Sequence, residues 1–95
     1  MEHEYRYHAV VDEDYPKDNP YRLIRTWGPA GRLPFEETFG PHLVWKRDAL
    51  LERIRRGDVS WDSEELTEDE YQQALEVITR RFKKQMEESR RITGD

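Results

Sequence analysis

Apolar and polar residues alternate along Tyr5-Arg6-Tyr7-His8-Ala9-Val10-Val11, placing Tyr5, Tyr7, Ala9 and Val11 on one side and Arg6, His8 and Val10 on the other. A period of two predicts a strand. Residues 12–20 gather acids, Asn19, Pro16 and Pro20, and they predict a loop, because proline cannot donate to a ladder. Tyr21 to Trp27 returns to β-branched and aromatic character, and antiparallel pairing with the first strand is the simplest arrangement for it. Gly28-Pro29-Ala30-Gly31 is turn chemistry and predicts a second reversal. The stretch Pro34 to Phe39 is open between a short strand and one helical turn, since Phe35 and Phe39 would share a helical face. Irregular structure is the expectation there, ended by Gly40-Pro41.

The second half reads as helical. His42-Leu43-Val44-Trp45 leads into Asp48, a cap for a helix over residues 49–56 that Gly57 stops. Leu50 and Ile54 lie one turn apart in it, and Arg53, Arg55 and Arg56 suit the negative end of its dipole. Ser63 to Leu66 predicts a short edge strand. Thr67-Glu68-Asp69-Glu70 then has the form of a capping box, ahead of an amphipathic stripe at Tyr71, Ala74, Leu75, Ile78 and Phe82. Acids at the start of this helix and Arg80, Arg81, Lys83 and Lys84 late in it agree with the dipole. Past Met86 the stripe fades. The expected fold class is α+β: a small antiparallel sheet, made of the N-terminal hairpin plus a short later strand, packed by a short helix and a long C-terminal helix. Residues 1–88 form the single domain and 89–95 a frayed or solvent-exposed tail.

At 95 residues the chain has room for one hydrophobic core and not two. Hydrophobic residues make up 35% of it and charged residues 39%, a balance that would mean disorder without the patterning above. Three Trp, five Tyr and three Phe supply the area a compact core needs. The lack of Cys removes disulfides, thiolate nucleophiles and Cys-based metal centres. The polar start Met1-Glu2-His3-Glu4 and the shortness of every apolar run argue against a signal peptide or a membrane span, so the expected location is the cytoplasm. A net charge of −5 disfavours nonspecific attachment to nucleic acid or anionic lipid. That charge is uneven: residues 1–20 carry two bases and six acids, residues 21–60 eight and five, and residues 61–95 six and ten. The middle of the chain is basic between two acidic ends.

Several short pieces recur as a set: Tyr7-His8-Ala9-Val10, Asn19-Pro20 followed by Leu23 and Arg25, Glu37-Thr38-Phe39, Leu43-Val44-Trp45, Gly57-Asp58 and Glu65-Leu66-Thr67-Glu68-Asp69-Glu70. In these the chain resembles a group of small uncharacterised actinobacterial proteins, over roughly residues 5–82. That group shows Trp, an acid, Pro and a Ser or Thr cap where this chain has Trp45-Lys46-Arg47-Asp48, which retains a cap and changes the local charge. The resemblance implies no activity.

Catalytic chemistry finds little footing. His3, His8 and His42 are widely separated and none has metal-ligand spacing to a second His, so no metal or cofactor is expected. Asp12, Glu13, Asp14 and Asp18 lack the glycine and terminal glutamate of a calcium loop and read as a solvated turn. Glu36-Glu37 and Glu64-Glu65 are adjacent pairs, which a strand sends to opposite faces. The 28–31 turn lacks the spacing and lysine of a phosphate loop. Arg22, Arg25 and Trp27, with Arg32 just beyond, combine basic and aromatic groups as nucleic-acid binders do, yet Arg22 and Arg25 have opposite parity on a strand. Trp45 and Trp61 flank the first helix as core or lid residues. No reaction constellation emerges, so the expected function is a non-enzymatic protein-binding or regulatory module with a protein partner. The alternative is a nucleic-acid accessory protein using the basic middle segment. Binding residues expected between them are Arg22, Arg25, Trp27, Arg53 and Arg56, joined by Arg55 in the nucleic-acid reading.

Overall fold

The opening alternation builds β1 (Arg6–Val11), and the aromatic segment after the acidic loop builds β2 (Arg22–Trp27). In the computed structural model, which describes residues 4–29 and 31–92, the two pair antiparallel with Ala9 opposite Leu23 and His8 opposite Ile24. His3, Ala30 of the expected turn and residues 93–95 of the expected tail lie outside the described residues. Two further strands, β3 (Phe35–Phe39) and β4 (Trp45–Arg47), continue the meander. The chain then forms α1 (Leu50–Arg56), returns as β5 (Asp62–Leu66) to the free side of β1, and ends in α2 (Glu68–Ile92). The result is an α+β fold on a five-stranded antiparallel sheet of order β4-β3-β2-β1-β5.

Of the alternatives left open at residues 35–39, the strand is the one formed, against the lean to irregular structure. Phe35 and Phe39 do not share a helical face; the segment is β3, with Leu23 opposite Phe39 and Arg25 opposite Glu37. Its strand state comes from pairing with β2, and a local reading cannot supply that partner. Residues 45–47, read only as a lead into a helix, form the sheet's short edge strand.

The single core is also corrected, because the sheet is buried on both faces. Ala9, Val11, Leu23, Phe39 and Leu66 meet Tyr71, Ala74, Ile78 and Phe82 of α2 on one side. Val10 and Ile24, at the intervening positions, meet Leu51 of α1 on the other. Period-two alternation sends neighbouring residues to opposite faces, so two apolar neighbours in one strand serve two layers. Leu50 and Ile54, one turn apart in α1, are partly buried, and Leu51 is the residue that enters the core.

α2 begins as expected. The Thr67 amide donates to Glu70 Oε1 at 2.9 Å and the Glu70 amide to Thr67 Oγ1 at 3.2 Å, a reciprocal capping box. The helix crosses its face of the sheet from Tyr71, stacked on Tyr7, to Phe82, which packs near Phe39. Beyond Phe82 every residue from Lys83 to Arg90 is exposed, and the helix continues unbroken through 88 to Ile92. A helix of 25 residues is ~37 Å long, more than a strand of five or six residues can cover, so its last turns pass the sheet's end.

The cap of α1 differs from the expected one. Its cap residue is Ala49, which makes no side-chain bond, and among the helix-start amides Asp48 Oδ1 accepts that of Ala49 at 2.7 Å. The free amides of the helix are met from β3: Leu51 donates to Glu36 Oε2 at 2.7 Å and Glu52 to Glu36 Oε1 at 3.4 Å. Burial raises the Glu36 carboxyl above its ordinary range, and the two amide bonds oppose that. At the other end Gly57 holds a left-handed φ of 77°, which lets its amide reach Ile54 O and the Asp58 amide reach Arg53 O. Glu36→Ala should therefore cost about 1 kcal/mol in urea denaturation, and Asp48→Ala about half of that or less. Equal losses would return the cap to Asp48.

Candidate functional site

The residues expected to bind do not assemble. Arg25 lies on the α2 side of the sheet, where Glu37 Oε1 accepts from its Nε at 2.7 Å and the Tyr5 and Trp45 rings sandwich its guanidinium. Arg22 turns back over the Tyr21 ring and donates to the Tyr21 carbonyl at 2.8 Å. Arg53 pairs with Asp48 at 3.5 Å and Arg56 with Asp58 at 3.3 Å, both on the exposed surface of α1. Of the five, only Trp27 lines the larger cavity. Trp61 stacks on Tyr21 beneath α1 and Trp45 packs on the α2-side core, so both serve the interior.

That cavity is an open groove of about 810 Å³ on the α1 side of the sheet, between α1 and the β2–β3 connection. Strand alternation explains its floor. Arg6 and His8 of β1 share the face that Val10 gives to α1, and Thr26 of β2 stands opposite Arg6 in register. α1 has only seven residues, so it covers Val10 and Ile24 and leaves this end of the face open. His8 and Thr26 are buried at the bottom, with Thr26 Oγ1 3.4 Å from His8 Nε2. Arg6, Arg32 and Arg55 surround the opening with Glu4 and Glu65. Trp27 and Phe35 border one end, but their rings belong to the α2 face, where Trp27 packs on Tyr5 and Phe35 lies beneath Arg47.

The arginines at this rim are distinctive in having no partner among the described residues. Arg22, Arg25, Arg47, Arg53, Arg56, Arg80 and Arg81 each sit in an ion pair, a carbonyl contact or over an aromatic ring. Arg6, Arg32 and Arg55 make none of these among the described residues, and all three line the groove. Three arginines and two glutamates give the rim a small positive excess on a chain of net charge −5. The sequence did contain a signal for this. Arg6 and His8 have the parity of Val10, and a reading that assigned Val10 to the core would have placed both on its face.

Burial lowers the His8 pKa below its ordinary value; Glu65, opposite it on β5, opposes the shift, and Arg55 and Arg6 reinforce it. The unfolded chain therefore takes up the proton more readily than the folded one. His8 contributes stability that is complete above 6.5 and lost as the pH falls through the lower folded value. His8→Gln should show a shallower loss of stability than the parent between neutral and mildly acidic pH, in urea titrations of both. Parallel profiles would mean that His8 titrates as freely in the fold as in the unfolded chain.

Among the described residues no three His, Asp or Glu side chains converge as they would around a metal ion, and no helix is long and apolar enough to cross a membrane. The chain matches no protein-family model, no curated protein and no solved structure, so the resemblance noted above rests on its short motifs alone.

Proposed function

We propose that this domain is a protein-binding module whose ligand is an acidic segment of a partner protein, received in the groove between α1 and the β2–β3 connection. The observation that carries the reading is the gathering there of Arg6, Arg32 and Arg55, which pair with no group of the fold among the described residues. A guanidinium left without a partner at a groove is free to take a carboxylate by two parallel hydrogen bonds. Pro29 and Pro34 of the β2–β3 connection line the groove with Arg32 and offer apolar area beside those charges. Buried His8 and Thr26 give the floor polar groups that can fix a bound chain's register.

The nucleic-acid reading has less support, because Arg22, Arg25, Arg53 and Arg56 are dispersed and internally engaged. Selection from a random peptide library displayed on phage tests the proposal. Sequences rich in Asp and Glu around an aromatic residue are expected, with affinity that falls as salt rises. Arg6→Glu and Arg55→Glu, both at exposed positions, should each weaken the selected peptide about tenfold. Selected peptides without acidic bias, or retention of single-stranded RNA or DNA in a gel shift that these two changes abolish, would overturn it.

A further inference from the structure

The sheet ends on β5, and the fold leaves that edge open. On its inner side β5 pairs with β1 from Asp62 opposite Val11 to Leu66 opposite Tyr7. No other backbone bond reaches residues 62–66 among the described residues. An antiparallel strand directs alternate peptide groups to its two sides, so a row of amides and carbonyls faces outward without partners. β4, at the opposite edge, is three residues long, and the chain just after it is tied back by the Asp48 amide to Glu36 O at 3.3 Å. β5 has five residues and neither proline nor glycine to interrupt it.

The charge along this edge has one sign. Asp62 and Glu64 point to the α2 side and Glu65 to the other, following the strand's alternation. Asp12, Glu13 and Asp14, just past the end of β1, face Asp62 and Glu64 across a cleft of about 620 Å³. None of these six carboxylates is in an ion pair among the described residues. Lys17, the nearby cation, is held by Glu70 at 2.8 Å. A second copy of the chain meeting this edge with its own β5 would set carboxylates against carboxylates, which is unfavourable across a strand pair. We propose that the β5 edge accepts an extended segment of a partner protein bearing Lys or Arg at alternate positions, which pairs as a sixth strand. Backbone bonds supply the pairing, and Asp62, Glu64 and the 12–14 turn select the charge. Glu65 alone is shared with the arginine-lined groove; Asp62, Glu64 and the 12–14 turn, which select the charge, lie outside it, so either reading can fail without the other.

The test uses the full chain and a synthetic peptide of about ten residues alternating Lys with Thr and Val, long enough to span the strand. The peptide is expected to bind at low ionic strength and to slow hydrogen exchange of the outward-facing amides in residues 62–66 by about tenfold at saturation. The same peptide with a central proline, which cannot donate to the ladder, should bind about tenfold more weakly. Asp62→Lys together with Glu64→Lys should abolish binding, with unchanged exchange in β1 and β2 showing that the sheet persists. Equal affinity for the two peptides would reduce the contact to charge alone and overturn the proposal. So would binding that leaves the 62–66 amides unprotected, an absence of binding, or protection of those amides by self-association without peptide.

Discussion

Phe82→Ala should destabilise the domain by about 3–5 kcal/mol. The Phe82 side chain is fully buried, within the cluster that Leu23, Phe39, Ile78 and Ala74 complete, and its ring also receives the Arg22 and Arg81 guanidinium groups at 5.2 and 5.3 Å. Removing it opens a cavity beneath α2 at the last point where that helix touches the sheet, and a layer this thin has little neighbouring mass with which to close it. Domains of this size are stable by only about 5–15 kcal/mol, so much of the total is at stake. Val77→Ala on the exposed flank of the same helix is the control, at about 0.5 kcal/mol or less. Urea denaturation of both separates the packing loss from any change in helix propensity. A Phe82 loss as small as the Val77 loss would mean that α2 is not clamped to the sheet at this end.

Arg81→Ala is expected to have the next largest effect, about 2–3 kcal/mol, from loss of charge-assisted bonds and from acceptors left without donors. Arg81 fastens the β1–β2 connection to α2. Its Nη1 donates to Asn19 Oδ1 at 2.8 Å, and its Nη2 donates to the carbonyls of Pro20 and Tyr21 at 2.8 and 3.0 Å. The guanidinium also lies over the Tyr15 ring, 5.1 Å from its centre. Burial lowers its pKa, yet an arginine stays charged throughout the ordinary pH range. Arg81→Lys should recover less than half of the loss, since one ammonium cannot serve three acceptors fixed by a planar fork. Hydrogen exchange at the Tyr21 amide, bonded to Val10 O at 2.8 Å, gives a local readout. Full recovery by lysine would assign the effect to charge near Tyr15 and Tyr21 and not to the bonds.

These two residues also mark where reading the chain alone stops. Phe82 belongs to a stripe with Tyr71, Ala74, Leu75 and Ile78 that follows from helical periodicity, and the capping box ahead of it closes between residues three apart. β1, β2 and their antiparallel pairing were likewise readable, because alternation and a turn-forming loop are properties of adjacent residues. Arg81 carries no such signal. It appeared as one of several late cations suiting a dipole, and its acceptors lie some sixty positions upstream. The sequence by itself determined the two helices and the hairpin, since those rest on spacing and on bonds within a few residues. Tertiary structure decided what depends on partners distant in the chain. Pairing with β2 made residues 35–39 a strand, and that strand carried Glu36 to the amides of α1 from fifteen positions away. The shortness of α1 left Arg6, His8, Thr26 and Arg55 facing one groove, and the return of β5 to β1 put three carboxylates on an open edge. A side chain's own type fixes what it can bond, and only the topology fixes what lies within reach.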